Sequence, residues 1–320
     1  MVDSKDFWVY LNGKLVRGKD AVVPIWDRGV QWGDAVYDTM RTYDGVPFKL
    51  DYRTDRLFYS LKYTRIDPGL TKDDLKRTFL EVIDANRPLQ SPGEDLSFNY
   101  YISRGSMDLT NGLTPAGTVS IFPRKIAFES FAPLYLTGAP SLAPTNRRTP
   151  PQCVSPKAKI SNKMNHQVAE LEVKAFDPTA HAIMLDLDGN IAECPGANFL
   201  FVSKGRIKVP DTRFVLSGAS MVATIELAEG MGIPCDEGTY STYDLYNADE
   251  AFITSSSPFL TPIVSFNGLP IGTGKVGPVT LKLLNACIDL VGVDFVSQAL
   301  NQLPAGTKEP LMKQWDLVRS

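Results

Sequence analysis

Histidine is nearly absent from this chain, and with it go two large classes of chemistry. Only His166 and His181 occur in 320 residues. With so few imidazoles, and no CxxC pair among Cys153, Cys194, Cys235 and Cys287, a zinc site has little to draw on. No G-x-S-x-G accompanies either histidine, so a Ser-His-Asp hydrolase lacks its nucleophile elbow. The widely spaced cysteines read as free thiols of a reducing compartment, not as disulfides. No apolar run is long enough to span a bilayer. Met1 to Asp6 is polar and charged and lacks the apolar stretch of a signal peptide, so a cytoplasmic protein is expected. A basic excess is missing too: the net charge is -3, which argues against nucleic acid or an anionic membrane as partner. Repeats and low-complexity segments are absent.

What remains is ordinary globular material, 43% hydrophobic and 22% charged, enough for a core and for about two domains. Trp8 to Leu11, Asn12-Gly13 and Lys14 to Val16 read as a tight hairpin. A loop runs to Trp26-Asp27-Arg28-Gly29. A strand is expected over Ala35 to Tyr43, an Asp44-Gly45 turn, and a partner strand from Pro47 to Leu50. Asp51 to Tyr63 and Thr71 to Asn86 read as helices, the second capped by Thr71 with Asp73 and Asp74 in its first turn. Phe98 to Ser103 and Thr118 to Phe122 read as strands. Six prolines between Pro133 and Pro156 break regular structure. They suggest a first α+β domain over 1–132, a connection over 133–145 and a larger, strand-rich second domain over 146–320. The second half holds a helix over Asn162 to Phe176, hairpins about Asp188-Gly189 and Lys204-Gly205, a helix over Met221 to Met231, strands at Ala251 to Thr254 and Ile263 to Phe266, and a helix over Pro278 to Val291. After Pro304 the pattern is weak. The fold class is α/β in the broad sense (α+β within each half), and ligand sites favour the interface of such halves.

Gly272-Thr-Gly274-Lys-Val-Gly277 fits G-x-G-x-x-G, but a dinucleotide site needs that run inside a βαβ unit with further strands to follow. Little more than a helix and a tail follow here, so a turn into the helix at Pro278 is the better reading. The informative pattern is spread along the chain. It comprises Trp26-Asp27-Arg28-Gly29 through Gly33-Asp34-Ala35-Val36-Tyr37-Asp38-Thr39-Met40-Arg41; Asp55-Arg56-Leu57; Lys159-Ile-Ser-Asn162; Asp188-Gly189-Asn190-Ile-Ala-Glu193 with Asn198-Phe199; Leu216-Ser-Gly218-Ala219-Ser220; Ala248-Asp249-Glu250 with Thr254-Ser-Ser256; and Gly274 with Gly277-Pro278-Val-Thr280. In this order and with these gaps the chain resembles the class IV, or fold-type IV, aminotransferases. The resemblance implies a two-domain α/β enzyme with pyridoxal 5'-phosphate in the interdomain cleft. It also implies a homodimer, and Lys159 as the lysine that carries the cofactor as a Schiff base.

The chemistry asks for these residue types on its own terms. A cofactor-bearing lysine must be neutral part of the time, which needs a desolvated or cationic setting. Lys157, Lys159 and Lys163 all stand nearby, and two of them should be ordinary surface lysines. Lys159 is preferred because Asn162, Ala169 and Glu172 then fall where the family has Asn, Ala and Glu. The pyridine nitrogen needs an ionised carboxylate, for which Glu193 is chosen over the reading of an exposed hairpin glutamate. The phosphate needs donors: Arg56 through its fork, Ala219 and Ser220 at a helix N-terminus, and Ser256 through its hydroxyl. Arg56 can equally be a surface arginine, and Ser220 an N-cap. Asn198 completes the cofactor set by its place in the motif.

The substrate residues are less well marked. Branched-chain enzymes of the family carry a tyrosine where this chain has Met164; Tyr37 is expected either to supply the hydroxyl instead, as in the D-amino-acid branch, or to be a core tyrosine. The Arg-x-His carboxylate trap of the D-amino-acid branch is missing from Ser106-Met107-Asp108-Leu109-Thr110. A threonine at the place of Thr39 occurs in aminodeoxychorismate lyases and in some amine transaminases of the family, which keeps a lyase as the alternative. Arg41 is expected to meet a carboxylate or to pair on the surface. The expected reaction is transfer of an amino group from an amino acid or amine to a 2-oxo acid, with no metal.

Overall fold

The computed structural model describes residues 4–91, 93–106 and 117–319. It divides into two compact units, Met1–Ile126 with Ala158–Lys163, and Ala127–Lys157 with Met164–Ser320. The prolines between 133 and 156 therefore do not mark the division, and the Lys159 segment belongs with the first unit.

In the first unit, β1 (Trp8–Leu11) and β2 (Lys14–Arg17) close across Asn12 and Gly13, both at positive φ (47° and 88°), as a two-residue hairpin requires. A short helix α1 (Arg28–Trp32) stands where a loop was expected, because the Asp27 carboxylate accepts from Gly29 N and caps it. Then follow β3 (Ala35–Tyr43), β4 (Val46–Pro47), α2 (Leu50–Thr64), α3 (Lys72–Asn86), β5 (Leu96–Ser103) and β6 (Val119–Lys125). The strand expected to reach Leu50 stops at Pro47, since Lys49 turns left-handed (φ 54°) and Leu50 opens α2. Thr71 and Asp74 form a reciprocal capping box at the start of α3.

The six strands pair antiparallel in the order β2-β1-β6-β5-β3-β4. Alternation gives this sheet two characters. Val36 and Met40 of β3, with Phe98, Tyr100 and Ile102 of β5 and Ile121 of β6, face Leu57, Leu61, Leu75, Phe79 and Val82 of the helices. Tyr37, Thr39 and Arg41 occupy the opposite face, in register with Tyr101, Asn99 and Ser97. Residues 159–161 run antiparallel beside the start of β3: Tyr37 N donates to Lys159 O (3.0 Å) and Ser161 N to Ala35 O (2.8 Å).

The second unit holds α4 (Leu134–Thr137), β7 (Ala139–Leu142), α5 (Met164–Phe176), β8 (His181–Ala182), β9 (Glu193–Cys194), β10 (Ala197–Ser203), β11 (Arg206–Pro210), α6 (Ala219–Gly230), β12 (Cys235–Gly238), α7 (Thr242–Tyr246), β13 (Glu250–Ser255), β14 (Phe259–Phe266), β15 (Leu269–Pro270), α8 (Pro278–Val291), α9 (Phe295–Leu300) and α10 (Ala305–Arg319). Its sheet runs β12-β11-β10-β13-β14-β7-β8, with β9 on β10 and β15 on β14. The apolar stripe Met164, Val168 and Leu171 predicts α5 but not its orientation. Those three are exposed, and the buried side carries His166, Ala169 and Val173.

The glycine run 272–277 is a turn. Gly277 caps α8, and Glu250 fills that helix start by accepting from Val279 N (2.9 Å), Thr280 N (2.8 Å) and Thr280 Oγ1 (2.7 Å). A side chain at Gly277 would strike Glu250. The weakly patterned tail forms α10, fixed by the buried Trp315, whose Nε1 donates to Asp294 (3.1 Å). Among the described residues no helix is long and apolar enough to cross a membrane.

Candidate active site

In the first unit the expected residues gather about β3. Lys159 N donates to Ser60 Oγ (3.0 Å), and the same hydroxyl donates to Arg56 O (3.0 Å). The lysine backbone is thus fastened both to β3 and to α2. Its Nζ lies 4.5 Å from the centre of the Tyr37 ring, within cation–π range. On the helix-facing side of the strand, Asp38 is wholly buried. It accepts from Arg56 Nε (3.0 Å) and Nη2 (2.7 Å) and from Arg53 Nη1 (3.3 Å). Burial alone would raise the Asp38 pKa. The charges of Arg56, Arg53 and Lys159 outweigh it and hold the carboxyl below the ordinary carboxylate range. Burial pushes Arg53 down to about 10, with Asp38 pulling it back, so it stays cationic at neutral pH.

Arg56 is therefore no surface arginine but a nearly buried guanidinium with a fixed orientation. Thr39 Oγ1 donates to Asn99 Oδ1 (2.8 Å), while Asn99 Nδ2 is buried with no hydrogen-bond partner among the described residues. Arg41 departs from expectation. It is fully buried, 3.7 Å from Asp95 and stacked on Tyr43, so its charge is matched inside the chain and it does not pair on the surface. Met107 to Thr110 lie outside the described residues.

In the second unit, register places Glu193, Asn198 and Thr254 directly opposite one another across β9, β10 and β13, hence on one face. Glu193 is no exposed hairpin residue. Its Oε1 accepts from Arg148 Nε (2.9 Å) and its Oε2 from Leu216 N (2.9 Å), and it is buried. Asn198 Nδ2 donates to Leu216 O (2.7 Å), so Leu216 is gripped at both backbone groups. The chain then enters α6 at Gly218, where a Cβ would lie 2.0 Å from Asn198 Oδ1. No side chain caps α6, and Ala219 and Ser220 open it. Ser220 Oγ donates to Ser255 O (2.8 Å), and Ser256 follows in the β13–β14 turn. Thr254 Oγ1 is buried and has no partner among the described residues.

Sequence reasoning missed Asp38, Ser60 and Asn99 in the first set, and Arg148, His166 and Thr254 in the second. Asp38 and Thr254 lie inside motifs already quoted. Arg53 and Arg56, one turn apart on the helix face that carries Leu57 and Leu61, signal a buried acid facing them. Arg148 carries no signal beyond its charge.

The inventory is an amine fixed beside an aromatic ring, a buried carboxylate held by an arginine, a helix start that no side chain caps, and the buried Thr254 hydroxyl. Residues 35–266 match the family described as amino-transferase class IV. The chain belongs to the class IV aminotransferases. It is 34% identical over 86% of its length to the "Putative branched-chain-amino-acid aminotransferase" of Methanocaldococcus jannaschii, covering 93% of that protein. It is 30% identical over 87% of its length to the D-alanine aminotransferase of Bacillus licheniformis, covering 95% of it. The solved branched-chain amino acid aminotransferase of Escherichia coli superposes with a TM-score of 0.81 at 26% identity, over 90% of this chain and 95% of that one.

A class IV aminotransferase is a transaminase dependent on pyridoxal phosphate, and the mixed sheets here are the fold-type IV architecture. The residues suit that cofactor. The unspent Thr254 hydroxyl and the uncapped start of α6 match a phosphate ester. The Glu193 carboxylate, hydrogen-bonded by Arg148 Nε, is the kind of group a protonated pyridine calls for.

Proposed function

We propose that Lys159 is the amine that bonds the cofactor and later moves the proton, and that Arg56, Glu193, Asn198, Ala219, Ser220 and Ser256 hold the cofactor. The observation that carries this reading is the double backbone fastening of Lys159, to Tyr37 N and Ser60 Oγ, which leaves the side chain over the Tyr37 ring. When bound, pyridoxal phosphate supplies an electron sink for the pair left on the substrate's α carbon.

The chain's own residues do the rest. Lys159 Nζ would take the proton from that carbon and later return it. Glu193 would hold the proton on the ring nitrogen, and Arg148 fixes the Glu193 carboxylate through Oε1. Asn198 positions Leu216 and the entry to α6, whose N–H groups, with Ser220, Ser256 and Arg56, bind the phosphate. Asp38 fixes the Arg56 fork. Tyr37 and Thr39 meet the substrate, Thr39 held by Asn99. Arg41, on the same face and matched by Asp95, borders them.

The substrates are an amino acid or amine donor and a 2-oxo acid acceptor. Relatives named for branched-chain amino acids and for D-alanine resemble the chain almost equally. Neither this nor the loss of the tyrosine at Met164 selects between them. We also infer a homodimer: Val22, Ile25, Trp26, Val30 and Trp32, close together in the chain, are all exposed apolar side chains of the kind a partner subunit covers. A cytoplasmic setting agrees with four free thiols. The test is an absorption spectrum of the loaded protein followed through additions of L-leucine, D-alanine and an (R)-amine. Bleaching by one donor, restored by a 2-oxo acid, supports the reading. A band that no donor alters refutes it.

A further inference from the structure

Glu193 shares one oxygen between two side chains of different character. Arg148 Nε donates to Oε1 at 2.9 Å, and His166 Nε2 stands 3.9 Å from the same atom. The three side chains are at most 9% exposed. Arginine is a permanent cation, whereas imidazole changes charge close to neutrality. One buried carboxylate oxygen therefore has a fixed and a switchable cation within 4 Å, in a setting where charges act strongly on one another.

The other ionisable groups here are few. On α5 they are Glu170, Glu172 and Lys174, and on β8 His181, whose pKa burial and then Lys174 lower. The Cys194 thiol on β9 is pushed well above its ordinary value by burial, then by Glu193 and Glu170, so it stays neutral. Arg147 precedes Arg148 in the loop before α5.

We propose that His166 is a positioning residue for Glu193, and that its protonation competes with the proton on the cofactor's ring nitrogen. The inference rests on the assignment of Glu193 to that nitrogen. With neutral imidazole, Glu193 has Arg148 on Oε1 and retains negative charge to stabilise a protonated ring. With imidazolium, two cations already share the carboxylate, and a third positive charge is disfavoured. Linkage makes the effect reciprocal: a protonated ring on Glu193 lowers the His166 pKa as much as imidazolium lowers that of the ring. Acid then weakens cofactor binding at a pH set by a residue that does not touch the cofactor.

Two histidines make the test direct, because imidazole NMR signals need only His181→Asn to be assigned. In cofactor-free protein, Glu193→Gln should lower the His166 pKa by about one unit or more, and Arg148→Gln should raise it, with His181 unmoved in both. Loading wild-type protein with pyridoxal phosphate should also lower it. His166→Gln should remove most of the acid-side loss of pyridoxal phosphate affinity. A His166 pKa identical in wild type and Glu193→Gln overturns the proposal, as does an imidazole that fails to titrate across about pH 5–8. If Glu193→Gln does not fold, an unmoved pKa in Arg148→Gln overturns it equally. If Glu193→Gln shifts His166 but the bound cofactor does not, the His166–Glu193 pair stands. What then fails is the assignment of Glu193 to the ring, and the coupling with it.

Discussion

Ser60 Oγ stands 3.0 Å from Lys159 N and fastens the proposed catalytic lysine to α2, the helix that carries Arg56. Arg56, the proposed phosphate ligand, and Lys159 thus share one support in the first unit. Ser60→Ala removes this hydrogen bond and should cost about 1 kcal/mol of stability. Urea unfolding measures that cost. Cofactor affinity should fall several-fold, because the lysine backbone is released on the α2 side and not on the β3 side. Unchanged affinity would separate the two functions of the segment.

Asp38 makes a prediction with a sign. Its folded pKa lies below the ordinary 3.8, so its contribution is complete above that value and is lost as pH falls from there through the lowered folded value. Asp38→Asn leaves Arg53 and Arg56 buried without their carboxylate and should cost about 3–5 kcal/mol at neutral pH. Denaturant unfolding at neutral and strongly acidic pH should show the variant's deficit shrinking in acid. A deficit that does not change with pH would mean that Asp38 acts through packing alone.

The sheet face bearing Tyr37 and Thr39 was legible, because strict alternation from Ala35 to Tyr43 fixes which side chains share a face. The hairpin at Asn12-Gly13, the cap at Thr71 and the helix from Pro278 were legible for similar local reasons. The partners of the site residues were not. Asp38 meets Arg56 at a separation of eighteen positions, and Glu193 meets Arg148 at forty-five. Such pairings depend on how helices and strands are assembled, which local patterning does not encode. The orientation of α5 was hidden because its buried side is the less apolar one, with His166 on it. The tail was hidden because only one residue of α10, Trp315, is buried.

Glu250 takes the place that the glycine-run reading would give to a nucleotide phosphate. Glu250→Ala removes a buried carboxylate accepting three hydrogen bonds at the start of α8 and should cost about 2–3 kcal/mol. Thermal or urea unfolding should show the loss, with Glu250→Gln losing less. The cofactor spectrum of the folded variant should be that of wild type, since the residue serves the helix only. Added dinucleotide should not raise the stability of either protein.

Trp315→Ala should destabilise by about 3–5 kcal/mol, by opening a cavity and removing the partner of Asp294. Hydrogen exchange should locate the loss in α9 and α10. Uniform loss of protection over the chain would mean that α10 is integral to the second unit's fold and not an added clasp.

The central claim is that residue 159 bonds the cofactor. Borohydride reduction of the loaded enzyme, digestion and fragment mass spectrometry would locate the phosphopyridoxyl group. The account predicts that group on Lys159, with no labelling in Lys159→Ala. The label on Lys157 or Lys163, or undiminished labelling of Lys159→Ala, would contradict it.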